Sequence, residues 1–262
     1  MRKITALLLM IVITLSLVSC SGIRRRTVEI DNIDVKMIAH RGLSGLEIEN
    51  TEAAFIAAGE SSHYGIEADV RRTADGRFII CHDSDLERIA GVKIDVGDLN
   101  YDDLVSIPML NKWRIADENI HLCSLEDYIS ICKKYDKQAI LELKSDFTHD
   151  EIEKIIEIIS SFSYLDRVTF ISFNYENLIR VRSVLPDQSV QYLFSEVDDD
   201  LVDRLVNDKI DVAIKHTKLT KPLVERFHDA GLLVNCWTVD SKIRAEQLIR
   251  WGVDYITSNI LE

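Results

Sequence analysis

The sequence predicts an α/β fold, a TIM-type (β/α)8 barrel with a small insertion after its second strand, and three observations predict it. From residue 35 onward, short β-branched runs alternate with segments of helical period, the pattern of parallel strands joined by crossover helices. Eight such strand candidates follow one another, the count that a closed barrel requires. One stretch, 71–123, breaks the rhythm and is far too long for an ordinary βα loop.

The strand candidates are 35–39, 65–70, 139–143, 168–172, 189–194, 211–215, 233–238 and 255–258. Helix starts lie between them: Ser124 with Asp127, Thr148 with Glu151, Asn174 before Tyr175, and Ser241 before Lys242. Stops are equally readable. Pro186 follows Leu185, Gly231 follows Ala230 and Gly252 follows Trp251, each a breaker where a helix should end. The sequence finishes at Glu262 directly after the eighth strand, so the last helix is expected to be absent or very short, with residues 27–34 helping to close the barrel floor.

Within the long stretch, Asp75-Gly76 is a hairpin turn signal flanked by 67–70 and 78–82. A symmetric fold-back about that turn pairs residues whose numbers sum to about 151, which sets His82 opposite Asp69. The remainder, 86–121, is polar and weakly periodic, and is expected to form a small subdomain over the barrel mouth within an insertion at 83–123.

Arg2-Lys3 followed by the apolar run 4–18 has the layout of a secretory signal. The run is shorter than the roughly 20 residues of a membrane-spanning helix. Leu17-Val18-Ser19-Cys20 resembles a bacterial lipobox. That resemblance implies a signal peptide at 1–19, acylation of Cys20, export, and attachment to the periplasmic or surface face of a bacterial membrane. A linker at 20–34 follows, carrying Arg24-Arg25-Arg26, the chain's basic cluster.

The formal charge of −13 excludes nucleic acid as a natural partner and leaves membrane attachment to the acyl chains. No Pro/Gly/Ser-rich linker divides the body, so 35–262 is read as one domain. Cys81, Cys123, Cys132 and Cys236 show no clustered metal-site spacing and are not expected to form disulfides; Cys81 and Cys236, in apolar strand-like runs, are read as small buried hydrophobes.

Barrel sites form at the C-terminal ends of the strands, and those ends are unusually polar here. Glu67 and Asp69 lie two apart on one strand and point to the same face. With Glu142 on the adjacent strand, three carboxylates share a low-dielectric space and repel unless a cation sits among them. An all-oxygen set selects a hard divalent ion, Mg2+ or Ca2+, over zinc. The spacing alone leaves another reading open, in which Arg41 and Lys144 neutralise the carboxylates as an ion-pair network. His40 ends the first strand and His82 ends the hairpin. Two imidazoles flanking a cation and an arginine suit general acid/base transfer around a phosphodiester. His63, His121, His149, His216 and His228 fall in loops or helical runs and are read as solvated or capping residues, with His216 the least settled because it directly follows the sixth strand.

His40-Arg41-Gly42, Glu49-Asn50-Thr51, Glu67-Ala68-Asp69-Val70, Thr73-Ala74-Asp75-Gly76, His82-Asp83, Glu142-Leu143-Lys144 and Trp237-Thr238 occur in that order. Together they resemble the glycerophosphodiester phosphodiesterase family, over about residues 36–259. The resemblance implies a TIM barrel with an insertion after strand two, and hydrolysis of a glycerophosphodiester to glycerol 3-phosphate and an alcohol. It further implies His40 and His82 as acid and base, Glu67, Asp69 and Glu142 as divalent-metal ligands, and Arg41 and Lys144 as phosphate contacts. In the mechanism so implied, the glycerol 2-hydroxyl attacks phosphorus and water opens the cyclic phosphate. Asn50 is expected to hydrogen-bond beside metal or substrate, Glu49 to orient the ligands, and Phe173 and Trp237 to pack on the glycerol carbons. Ile48 stands where the family commonly has proline, and Ser258-Asn259 where it often has Thr-Asp. Two alternatives remain at this level: a phospholipase C- or D-like enzyme acting on intact lipids, and a surface lipoprotein that binds without turnover.

Overall fold

The computed structural model describes residues 26–31 and 34–262. Its strands, in chain order, are β1 (Lys36–Ala39), β2 (Gly65–Arg72), β3 (Phe78–Ile80), β4 (Met109–Leu110), β5 (Ala116–Asp117), β6 (Cys123–Ser124), β7 (Gln138–Leu143), β8 (Val168–Ser172), β9 (Val190–Phe194), β10 (Asp211–Lys215), β11 (Val234–Trp237) and β12 (Tyr255–Ser258). The helices are α1 (Glu52–Gly59), α2 (Glu87–Ala90), α3 (Tyr101–Val105), α4 (Leu125–Lys134), α5 (His149–Ser161), α6 (Tyr175–Val184), α7 (Asp199–Asp208), α8 (Lys221–Asp229) and α9 (Lys242–Trp251).

Eight strands pair in parallel in the order β1-β12-β11-β10-β9-β8-β7-β2, and β2 returns to β1 through Ile38↔Gly65 and Ala39↔Ile66, which closes the barrel. All eight predicted strands are present, each within two residues of its expected ends. Successive side chains alternate between two environments, as a strand requires. The outward set, such as Ala68, Leu141 and Phe170, joins the large core under the helices. The inward set, Ile38, Ile140, Ile171, Leu193, Ala213 and Tyr255, fills the barrel. Above that layer the same alternation brings the polar strand ends to the mouth.

The helix signals work as local chemistry. Ser124 Oγ accepts from Asp127 N at 2.9 Å. Thr148 and Glu151 form a reciprocal capping box at the start of α5. Asn174 and Ser241 cap α6 and α9 through their side chains. Gly252 ends α9 with φ +89, a left-handed conformation that costs glycine little.

Two expectations need correction. Residues 26–31 do not close the floor: Val28 pairs with Leu261, Ile30 N donates to Glu262 O at 2.7 Å, and Lys242 of α9 reaches Glu29 O. The segment runs alongside residues 260–262 and the start of α9, with Val28 N donating to Ile260 O at 3.0 Å and Glu262 N to Val28 O at 3.0 Å. The hairpin register is also shifted by one. Val70↔Ile80 and Arg72↔Phe78 sum to 150, since the turn spans an extra residue: Thr73 N donates to Arg77 O and Gly76 adopts φ +75. Cys81 N therefore donates to Asp69 O at 2.8 Å, and His82 lies past the last ladder pair.

The insertion between β3 and β6 contains α2, α3 and the β4–β5 hairpin. It is less polar than its sequence suggests, because Ile79, Cys81, Leu86, Ile89, Val96, Leu104, Met109 and Leu122 form a separate buried cluster. Cys81, Cys123, Cys132 and Cys236 are free, buried thiols. The predicted signal peptide and Cys20 lie outside the described residues. No helix among the described residues is long and apolar enough to cross a membrane.

Candidate active site

A cavity opens at the C-terminal end of the barrel. Its walls come from strand ends that are distant in sequence: His40 and Arg41 after β1, Glu67 on β2, His82 after β3, Glu142 and Lys144 at β7, and Phe173 and Trp237 at β8 and β11. All of them were expected at the site. Asp69, Asn50 and Glu49 sit immediately behind this wall.

Glu67, Asp69 and Glu142 are buried, with ligand-capable oxygens within 4.8 Å of one another. Parallel register explains the convergence, because Asp69 lies beside Glu142 in the β2–β7 ladder and Glu67 one inward step below. The surrounding cations only partly neutralise them. Lys144 Nζ stands 3.0 Å from Glu142 Oε1 and 3.7 Å from Asp69 Oδ1, and Arg41 Nε stands 3.4 Å from Asp69 Oδ2. Glu67 receives only the Arg41 backbone N–H at 2.8 Å, with the His40 ring 4.0 Å away. Burial, with Asp69 and Glu142 beside it, pushes the Glu67 carboxyl well above the usual range. Burial and Asp69 likewise push Glu142 up to about 7. Asp69 goes the other way, its burial outweighed by Arg41 and Lys144.

Whether the group fits a cation is answered by the atoms left over. Glu67 Oε1, Asp69 Oδ1 and Asn50 Oδ1 are buried without a hydrogen-bond partner, a costly state for oxygens unless something positive faces them. The donors are all hard oxygens. The residues therefore fit a hard divalent cation better than the pure ion-pair network, in which no Lys or Arg side chain makes an ion-pair contact with Glu67 among the described residues.

Local backbone strain sets these groups in place. Arg41 and Asn50 have φ +54 and +57, conformations disfavoured for residues with a Cβ. They let the Arg41 N–H meet Glu67 while Asn50 Nδ2 donates to Asp69 Oδ2 at 2.8 Å. Gly42 follows with φ +72, and a Cβ there would lie 2.6 Å from the Ala54 backbone.

Each histidine has one nitrogen committed. His40 Nδ1 lies 2.8 Å from Asn259 Oδ1, and Asn259 Nδ2 donates to Asp240 Oδ2 at 2.7 Å. Because the amide nitrogen is occupied by Asp240, Asn259 presents its oxygen and His40 Nδ1 is the donor, which leaves Nε2 with its lone pair toward the cavity. His82 Nδ1 lies 2.7 Å from Asp83 Oδ1. Burial, reinforced by Arg41, lowers the His40 pKa. Burial also lowers that of His82, where Arg41 and Lys144 oppose the pull of Asp69.

A guanidinium in the insertion links these groups. Arg88 Nε donates to Asp83 Oδ2 at 2.6 Å, and its Nη1 and Nη2 each meet a Glu49 oxygen at 2.7 Å. Glu49 Oε1 in turn accepts from Arg41 Nη1 at 2.9 Å. Glu49 thus orients Arg41 rather than the carboxylate cluster. Arg71 adds a second clamp, donating to His82 O from Nε and Nη2 at 3.1 and 2.6 Å.

Arg88, Arg71 and Asp240 were not found by sequence reasoning, and no motif marks them. Phe173 and Trp237 meet edge to face at 5.5 Å between centroids on the cavity wall. His216 stays outside the cavity, beside Arg244. His63 departs from its expected role, being fully buried with hydrogen bonds to Ser61 and Leu261.

Fold and site together define a barrel hydrolase of phosphoric diesters, with acids, cations and imidazoles gathered at the C-terminal strand ends. The model of the glycerophosphoryl diester phosphodiesterase family matches residues 40–261. A glycerophosphodiester phosphodiesterase of Bacillus altitudinis is 30% identical over 227 residues, 84% of this chain and 93% of that one. The Bacillus subtilis protein YqiK is 31% identical over 226 residues, 84% of this chain and 92% of its own length. Among solved structures, an Oleispira antarctica phosphodiesterase in complex with the product sn-glycerol-3-phosphate aligns with a TM-score of 0.79 at 25% identity, covering 86% of this chain and 93% of that one. This chain belongs to the glycerophosphoryl diester phosphodiesterase family.

Proposed function

We propose that the protein hydrolyses glycerophosphodiesters to glycerol 3-phosphate and an alcohol, with Glu67, Asp69 and Glu142 holding Mg2+ or Ca2+ and His40 and His82 transferring protons. The observation that carries this reading is the buried carboxylate cluster, with oxygens that receive no hydrogen bond, facing a cavity lined by two imidazoles. The family membership and the glycerol-phosphate product held by the Oleispira relative support the substrate class. The cavity, walled by two imidazoles, two cations and two aromatic rings, suits a small polar ester.

A divalent cation in that cluster would supply charge stabilisation to the phosphate oxygens. Arg41 and Lys144 add to it from the wall and orient the phosphate. One imidazole accepts the proton of the glycerol 2-hydroxyl as its oxygen attacks phosphorus, and the other, protonated, delivers a proton to the departing alkoxide. The P–O bond to the alcohol breaks as the bond to the 2-oxygen forms. The roles then reverse, and water opens the cyclic phosphate to glycerol 3-phosphate. Phe173 and Trp237 supply the apolar face for the glycerol carbons.

The lipobox-like Leu17-Val18-Ser19-Cys20 supports export and acylation at Cys20, which would anchor the enzyme to a bacterial membrane on its periplasmic or surface face. The test is release of glycerol 3-phosphate from glycerophosphocholine by the purified chain. Activity is expected, with loss in EDTA and in His40→Ala or His82→Ala. Turnover that persists in both variants would sink the proton-transfer assignment, and turnover of intact phosphatidylcholine in preference would move the substrate to lipids.

A further inference from the structure

At the tip of the β4–β5 hairpin, Trp113 is 69% exposed and Ile115 is 63% exposed, and neither joins an apolar cluster among the described residues. The tip is nonetheless well built. Asn111 Oδ1 accepts from Trp113 N at 3.0 Å and from Ile115 N at 3.2 Å. Lys112 Nζ sits 4.5 Å over the Trp113 ring, and Arg114 donates to the Arg88 carbonyl. An aromatic with a polar edge, a branched aliphatic and two cations on one turn are the side chains that settle at a lipid–water interface. Tryptophan lies at headgroup depth there, and lysine and arginine extend to the phosphates.

Two placements favour a bilayer as the partner. Lys112 lines the same crevice as Arg26, so the chain that leads back to Cys20 leaves the barrel beside the tip. Six steps of chain separate Cys20 from Arg26, at most about 20 Å when extended. A lipid on Cys20 would therefore hold this face against the membrane. In a chain of formal charge −13, which becomes −15 once Arg2 and Lys3 leave with residues 1–19, anionic lipid is repelled elsewhere, and Arg24, Arg25 and Arg26 precede this same face in sequence. On the other side of the tip, Arg114 lines the vestibule that holds His82 and Lys144.

We propose that the 111–115 tip is a membrane-interface contact that orients the anchored enzyme, laying Trp113 and Ile115 among the headgroups and setting the active-site vestibule beside the bilayer. The proposal rests on acylation of Cys20 and is independent of the substrate assignment. Its test uses the full chain, produced with its own N-terminal segment and reconstituted in phosphatidylcholine–phosphatidylglycerol vesicles with or without bromine on the acyl chains. The emission of wild type minus that of Trp113→Phe isolates Trp113 from Trp237 and Trp251. Expected is a blue-shifted Trp113 signal quenched by the brominated lipid, lost in the Cys20→Ala chain. A floated chain whose Trp113 emission stays red and unquenched overturns the proposal, as does a wild-type chain that fails to float. Ile115→Asp should abolish the blue shift while hydrolysis of soluble glycerophosphocholine stays unchanged. Loss of that hydrolysis would instead make the tip part of the catalytic fold.

Discussion

At the scale of single residues, Arg88 is the side chain whose role depends most on its geometry. It is half exposed, so solvent screens its ion pairs and their contribution to stability is on the order of 1 kcal/mol. Its fork nevertheless ties Glu49, and through it Arg41, to Asp83 and His82. Arg88→Ala should lower kcat by about tenfold to a hundredfold, the range for partners that orient a site, while the thermal midpoint scarcely moves. Arg88→Lys should recover little, because a point charge cannot hold both carboxylates bidentately. An unchanged kcat in Arg88→Ala would make the network a surface feature only. The residues at the two ends of this chain of contacts could be read from the sequence, since His40, Arg41, Glu49 and His82 lie in recognisable motifs. Arg88 could not, because an arginine in an insertion with no motif acquires meaning only when the insertion folds back to Glu49 in the loop after β1.

At the scale of elements, strands were legible and connections were not. Period-two alternation of β-branched residues is enforced by the barrel on every strand, so 168–172, 211–215 and 255–258 match the structure residue for residue. The hairpin register was missed by one because an extra turn residue leaves no mark on the hydrophobic pattern. His63 shows what a connection can hide. It follows α1, and its ring bonds Leu261 O at 2.9 Å and Ser61 Oγ at 2.6 Å, joining the approach to β2 to the segment after β12. Burial lowers its pKa from the ordinary value near 6.5. The neutral ring therefore contributes its stability fully above about 6.5, and that contribution is lost as pH falls through the lowered folded value. Thermal midpoints measured from pH 8 to pH 5 should fall more steeply for wild type than for His63→Gln. Parallel slopes would mean that the acid sensitivity lies elsewhere.

At the scale of the whole molecule, the barrel stores electrostatic repulsion at its mouth, with three buried carboxylates held together by the β2–β7 register. A cation bound only by the folded state relieves it. At a hundredfold excess over Kd the gain is about 2.7 kcal/mol, or a rise of about 5–10 °C in Tm for a chain of this size. EDTA should reverse the rise, and Glu142→Gln should diminish it by removing one anionic ligand. A Tm insensitive to Mg2+ and Ca2+ would return the cluster to the ion-pair reading.

Whereas Ile171, Leu193, Asn235 and Thr257 joined the cavity wall only in the structure, the sequence by itself determined the eight-stranded barrel, four helix caps, and the charged, imidazole and aromatic side chains on that wall. Those features follow from local periodicity, capping chemistry and short motifs, which are written along the chain. Only the tertiary structure decided that Glu67 is met by the Arg41 backbone N–H and not by a cationic side chain in contact, that Asn259 and Asp240 fix the His40 ring, and that Arg88 bridges to both histidine neighbourhoods. The physical reason is the same in each case. Desolvation and hydrogen-bond partnership depend on distances across the barrel, between residues as far apart as His40 and Asn259, and no local pattern encodes them.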